Sequence, residues 1–283
     1  MLKLRIIIII PFFITALAQN ASAAPSRIVS LKPNITEILF ALGAGDRVVG
    51  VTKYCDYPGQ AKKLPKVADY TRPFLEPIIA LKPDLVIGSE EESSRKASFE
   101  LKRLGINVVW FPFTTLEETL SSIRNISELV GRPEKGAEIV NEMRERMGNL
   151  SQKWASSGNT KVLIVVGLKP LIVAGQGTYI NEVLSIAGAQ NAVSGRSIRY
   201  PKWSLENVIA SNPDVIIDMS MGSESPDAGS GTNPLESWRR LTTVSAVRNK
   251  KIYSFDLGVL RQSPRLIEGI EKLGRIIHSP PPL

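Results

Sequence analysis

The chain alternates short apolar runs with stretches in which apolar residues return every three or four positions. Residues 27–31, 48–51, 85–87 and 108–111 are brief runs rich in β-branched and aromatic side chains, the length of buried strands. Between the first two, Ile35, Ile38, Leu39 and Leu42 share one helical face behind a Lys32-Pro33-Asn34 break, and Gly43 supplies the stop. A helix is predicted around residues 98–104, between the third and fourth strands. The order then returns: a strand at 162–166, a helix at 179–187 closed by Gly188, a helix opening at Leu205, and strands at 215–217 and 252–255. Strands alternating with helices predict mostly parallel sheets covered on both faces, an α/β architecture. Between the two halves, Val140, Met143, Met147, Leu150 and Trp154 form one apolar stripe behind Pro133, a residue suited to a first helical position. A helix over 133–155, rising roughly 1.5 Å per residue, would span about 33 Å and could back both halves.

The halves are copies. Residues 75–87 read LEPIIALKPDLVI and residues 205–217 read LENVIASNPDVII; upstream, residues 36–44 (TEILFALGA) match residues 181–189 (NEVLSIAGA) in the same order. Two copies at so long a period do not build a solenoid, so they predict two similar lobes joined by a single long helix, with a cleft between them as the ligand site. A helical joint resists bending more than paired strands would, which predicts a small lobe closure on binding.

The first residues follow a secretory plan, with Lys3 and Arg5, an apolar run over 6–18 and Ala21-Ser22-Ala23 as a small-residue cleavage site near Ala23. The run is too short to span a membrane. The expected organisation is a signal peptide at 1–23, an N-terminal α/β lobe at 24–132, an interlobe helix at 133–156 and a C-terminal α/β lobe at 157–283. Removal of the leader lowers the formal charge from +8 to +6. The Arg239-Arg240 pair and the cluster at 248–251 lack interleaved aromatics, which favours a solvated basic face over nucleic-acid binding. The single Cys55 excludes an internal disulfide and reads as a small buried hydrophobe.

Little here suits catalysis. The one histidine, His278, lies close to a Ser-Pro-Pro-Pro tail and is expected to fray; neither a nucleophile elbow nor a Walker loop is present. Clusters of His and Cys able to hold a transition metal are excluded by count, so no metal or cofactor is expected. A secreted hydrolase using the matched Asp84 and Asp214 would need both carboxyls in one cleft, whereas Pro-Asp before an apolar strand is ordinary turn chemistry. An adhesion or scaffold module would give paired aromatics no reason to converge. Two matched pairs fit binding better. Tyr70 and Tyr200 each lie six residues before Glu76 and Glu206, in segments leading into the matched helices, with Tyr54 and Trp203 in neighbouring loops and Arg72 and Arg199 beside them. Aromatics from both lobes offer flat faces to a bulky ligand, and the arginines could pair with its acidic groups. Glu76 and Glu206 complement the helix dipole, and as one acid per half they would also suit a two-fold symmetric basic partner.

Residues 27–50, the segment Tyr54-Cys55-Asp56-Tyr57-Pro58, residues 63–67 and residues 75–87 resemble the periplasmic cobalamin and iron-complex binding proteins of ABC importers. The resemblance implies a bilobal fold on one backbone helix, a ligand held between the lobes, and a periplasmic, monomeric protein serving a dimeric permease in the inner membrane. By likeness of motif, Glu76 and Glu206 match acids that dock onto permease arginines, and Tyr54 matches an aromatic of the cobalamin pocket. Tyr70 and Tyr200 stand where cobalamin-binding members carry tryptophan, so haem or a ferric siderophore remains an alternative to cobalamin or a related corrinoid. Residues 261–265 resemble a late pocket loop, which adds Asp256 and Arg261 to the expected ligand-binding set.

Overall fold

The computed structural model describes residues 24–69, 72–90, 94–156, 159–195, 198–220 and 238–278. The expected signal peptide, the Gly/Ser-rich stretch at 222–234, the terminal proline tail and Tyr70 therefore lie outside the described residues.

The first half builds a five-stranded sheet from β1 (Ile28–Ser30), β2 (Val48–Thr52), β3 (Lys66–Ala68), β4 (Leu85–Ser89) and β5 (Asn107–Phe111). All pairings are parallel, in the order β3-β2-β1-β4-β5. Helix α1 (Pro33–Ala41) follows β1, α2 (Leu75–Ala80) precedes β4, and α3 (Ser94–Arg103) links β4 to β5. This doubly wound order reverses direction at β1 and β4, and in such sheets ligands bind outside the carboxyl ends of the strands at that point.

Two helices lead to the second half: α4 (Leu116–Leu129), opened by a capping box between Thr115 and Glu118, and α5 (Pro133–Trp154). The second sheet contains β6 (Lys161–Leu168), β7 (Leu171–Val173), β8 (Gln190–Asn191), β9 (Val215–Asp218) and β10 (Ile252–Ser254). Its order β10-β9-β6 continues into β7 and β8 along the far edge of β6, with β7 antiparallel and the other pairings parallel. Helices α6 (Tyr179–Ile186), α7 (Leu205–Ser211), α8 (Ser245–Arg248) and α9 (Leu266–His278) belong to this half. Setting β6, β8, β9 and β10 against β1, β2, β4 and β5 gives the same spatial order, so the internal repeat is a repeat of topology. It extends to backbone conformation: Lys82 and Asn212, at equivalent positions after α2 and α7, both take positive φ, at 46° and 41°. Asp84 and Asp214 then perform one task. Asp84 accepts from the backbone of Ser26 and Arg27, Asp214 from the backbone of Lys161, and each ties the start of its lobe's first strand to the start of β4 or β9.

The apolar stripe of α5 works along its whole length. Gly136 lies against Ser127 of α4, and at the other end Trp154 fits between Gly188 and Gly274 of the second half, where an added Cβ would come within 2.5 Å and 2.7 Å of Trp154 atoms. His278 is not frayed, contrary to the sequence expectation. It ends the amphipathic helix α9, stacks on Trp154 with ring centroids 4.9 Å apart, and its Nε2 lies 2.7 Å from the Ala187 carbonyl. One apolar cluster runs from Ile28, Ile38 and Val51 through Ile123 and Met143 to Ile164, Leu184, Ile217 and Ile270, so both sheets share a continuous core.

Cys55 belongs to that core. Its thiol sits 3.2 Å from the hydroxyls of both Thr36 and Thr52, and burial pushes its pKa up despite those contacts.

Candidate functional site

The loops leaving the carboxyl ends of β2, β3 and β10 carry Tyr54, Arg72 and Asp256. Residues 199–203 run beside β7, where Gly175 N donates to Arg199 O and Trp203 N to Leu171 O. Gly175 allows that approach, since a Cβ there would lie 2.8 Å from the Ile198 carbonyl. Tyr200 remains 43% exposed and Ile198 61% exposed, leaving an aromatic and an aliphatic surface open beside the Arg199 guanidinium. The Tyr200 hydroxyl is raised above its ordinary pKa by partial burial, against the opposing charge of Arg199, so it is a neutral donor at physiological pH. Tyr54 is half-buried and Arg72 exposed, with the Arg72 backbone held by the Asp69 carboxylate in a turn. Asp256 is exposed and caps the 3-10 turn Leu257–Leu260 through Gly258 N. Trp203 is directed elsewhere than expected: it packs on the second-lobe cluster that contains Leu163, Val208 and Trp238.

Arg261 requires a correction. It was expected on the ligand wall, but its side chain is only 5% exposed and is consumed by the lobe interface. Its guanidinium donates to Glu37 at 3.0 Å, to the Asp56 carboxylate and to the Tyr54 carbonyl. Glu37, 2% exposed on α1, also accepts from Arg265 at 2.7 Å and from the Ser263 hydroxyl at 2.6 Å. Arg265 in turn lies over the ring of Tyr57, 4.2 Å from its centroid, and Tyr57 stays 47% exposed. Two arginines from the second half thus enclose one buried acid and one half-exposed acid of the first, a charge-neutral cluster that satisfies its members by hydrogen bonds.

Sequence reasoning missed Glu37, Asp56, Ser263 and Arg265, although one signal was present. Glu37 and Glu182 are equivalent in the matched segments 36–44 and 181–189, and each crosses to the opposite half: Glu182 accepts from Leu116 N at 2.7 Å. Tyr179 N donates to Thr114 O nearby, and Gln262 reaches the Phe113 carbonyl and the Thr119 hydroxyl.

Burial alone would raise the Asp56 carboxyl, but the hydrogen bond and charge of Arg261 outweigh it and hold the pKa below its ordinary value. A depressed folded-state value means that Asp56 stabilises the fold fully above the unfolded value of about 3.9 and loses this contribution as pH falls through the folded value. Asp56→Asn should therefore unfold with a shallower acid dependence than the parent below about pH 4, read by circular dichroism in an acid titration. Superimposable acid limbs would show that the Arg261 contact does not matter.

The acids expected to dock a partner, Glu76 and Glu206, are both exposed in the first turns of α2 and α7, and the Ser204 hydroxyl keeps Glu206 below its ordinary pKa. Asp84 and Asp214, in contrast, sit at the amino ends of their strands in backbone hydrogen bonds, away from the loops that carry Tyr54 and Asp256. Asp84 and Asp214 thus serve the strand starts of their own lobes.

A family model described as periplasmic binding protein matches residues 28–257. A vitamin B12-binding protein of Vibrio cholerae serotype O1 is 31% identical over 274 residues, covering 96% of this chain and 96% of the relative. Among solved structures, the periplasmic vitamin B12 binding protein of Vibrio cholerae superposes with a TM-score of 0.75 at 30% identity, over 90% of this chain and 97% of the other. A periplasmic heme binding protein from Pseudomonas aeruginosa superposes with a TM-score of 0.79 at 28% identity, over 92% and 95%.

Proposed function

This chain belongs to the periplasmic binding protein family, and from that premise we propose that it captures cobalamin or a related corrinoid between its lobes and delivers it to an ABC importer. The observation that carries the ligand is the likeness, along 96% of both chains, to a protein named for binding vitamin B12. The site chemistry agrees with it. Tyr54 and Tyr200 offer ring faces to a large macrocycle, Tyr70 joins them by its repeat position, and Arg72 and Arg199 provide donors for amide or phosphate edges. Binding then comes from desolvating the macrocycle between aromatic faces, and no covalent step is needed. Asp256 contributes as the cap of a loop that faces the first half. Residues 1–23 act as the export signal, cleaved near Ala23, and the mature protein works as a periplasmic monomer.

Glu76 and Glu206 present one acid per lobe to the permease dimer, where opposite charges set register and encounter rate. A haem or ferric-siderophore ligand is the second reading, favoured by the TM-score of 0.79 to the heme-binding structure against 0.75 to the vitamin B12 one.

Titration with cyanocobalamin, haemin and ferrichrome, followed by calorimetry and absorbance, separates the readings. The expected result is saturable 1:1 cyanocobalamin binding with no change in the haemin Soret band. A haemin band shifted by tyrosine ligation, with no cyanocobalamin heat, would transfer the assignment to haem.

A further inference from the structure

The matched helices repeat more than an acid. In α2 the sequence Leu75-Glu76-Pro77-Ile78-Ile79 places Ile78 in the core with no exposed surface and leaves Ile79 40% exposed. In α7 the sequence Leu205-Glu206-Asn207-Val208-Ile209 does the same: Val208 is fully buried, Ile209 is 44% exposed, and Leu205 adds a 49% exposed neighbour. Ile78 and Val208 are the core anchors of these helices, whereas Ile79 and Ile209 each keep a large part of their surface in solvent. Yet both copies hold isoleucine at that position, three residues beyond the acid, the spacing that makes two side chains neighbours on a helix surface. Scattered exposed apolar residues are ordinary. The same acid–isoleucine pair left outward on both of two pseudo-equivalent helices is a matched surface.

The geometry points to Ile79 and Ile209 as paired apolar contacts of the docking face, each seated in an apolar socket that one subunit of a two-fold permease presents beside a basic residue. This rests on the importer reading above and names what holds the complex once charge has brought it together. Charge complementarity fixes the occupant: an acid beside each isoleucine calls for a basic group at the rim of each socket, and two equivalent patches call for two equivalent subunits. Exposed acids steer and orient; desolvated aliphatic contacts at the centre of a patch mainly set the lifetime.

The test compares the parent with Ile79→Ser/Ile209→Ser and Glu76→Ala/Glu206→Ala. Each is measured for binding to the host cell's corrinoid ABC importer in lipid nanodiscs at two ionic strengths, alongside cyanocobalamin titration and thermal unfolding. The isoleucine variant should dissociate about tenfold or more faster, equally at low and high salt, with ligand affinity unchanged and a cooperative melting transition retained. The glutamate variant should associate more slowly and lose the salt dependence of the parent. A normal lifetime for the isoleucine variant beside a slowed glutamate variant would overturn this inference and leave the importer reading intact. No effect from either variant would overturn the docking reading and this inference with it. A parent that sediments as a dimer, made monomeric by the isoleucine substitutions, would also overturn it by assigning the patches to a second copy of this chain.

Discussion

Replacing Glu37 with alanine should destabilise the fold by about 3–5 kcal/mol, the usual consequence of removing one member of a buried ion cluster. The loss arises because Arg261, 5% exposed, and Arg265, 20% exposed, would keep their charges in place without the acid they enclose. A drop of roughly 10 °C in melting temperature is expected for a chain of this size. The check is urea unfolding of Glu37→Ala beside the triple variant Glu37→Leu, Arg261→Met, Arg265→Met. The triple variant should recover most of the loss, since replacing a whole buried cluster with apolar groups is often neutral. A single variant within about 1 kcal/mol of the parent would mean that the cluster is solvated and does not join the lobes.

The second large effect concerns ligand affinity. Tyr54→Ala and Tyr200→Ala together should weaken cyanocobalamin binding about a hundredfold, roughly 1.4 kcal/mol for each lost ring face. Direct area conversion at about 25 cal/mol per Å² would predict more, but association offsets part of that gain. Fold effects are separable here. Tyr200 is 43% exposed, and the bond from Arg261 to Tyr54 uses the backbone carbonyl, which alanine retains. The paired Tyr→Phe changes distinguish stacking from hydrogen bonding: retained affinity assigns the work to the ring, and a loss near that of alanine assigns it to the hydroxyl. Unchanged affinity in the double alanine variant would move the pocket away from these loops.

The legible parts of the fold were those written locally or written twice. The repeat places α2 with β4 and α7 with β9, and the stripe from Val140 to Trp154 lies on a helix that meets both halves, because period and duplication survive in sequence. The antiparallel β7 left no comparable mark: two halves that match elsewhere give no warning of an edge strand added to one. Helix α9 was obscured by its neighbours, since the proline run after His278 suggested a loose end while Leu266, Ile270, Leu273 and Ile277 bury themselves against the core. At the site, exposed aromatics and paired acids could be nominated from position. The Glu37 cluster as a whole could not, because the partners it bonds across the halves are 205 to 228 residues apart and only the fold brings them together. Arg261 was nominated by the likeness of residues 261–265 to a late pocket loop, and such a likeness does not reveal that Glu37 and Asp56 take up its side chain.

The apolar cluster that runs unbroken from Ile28 to Ile277 makes the two halves poor candidates for separate existence. A gene fragment ending before α5, or beginning after it, would display an oily wall that the intact molecule never shows to solvent, and such a fragment should precipitate on expression. Evolution could duplicate this lobe, but having fused the copies it gave up the freedom to shuffle them.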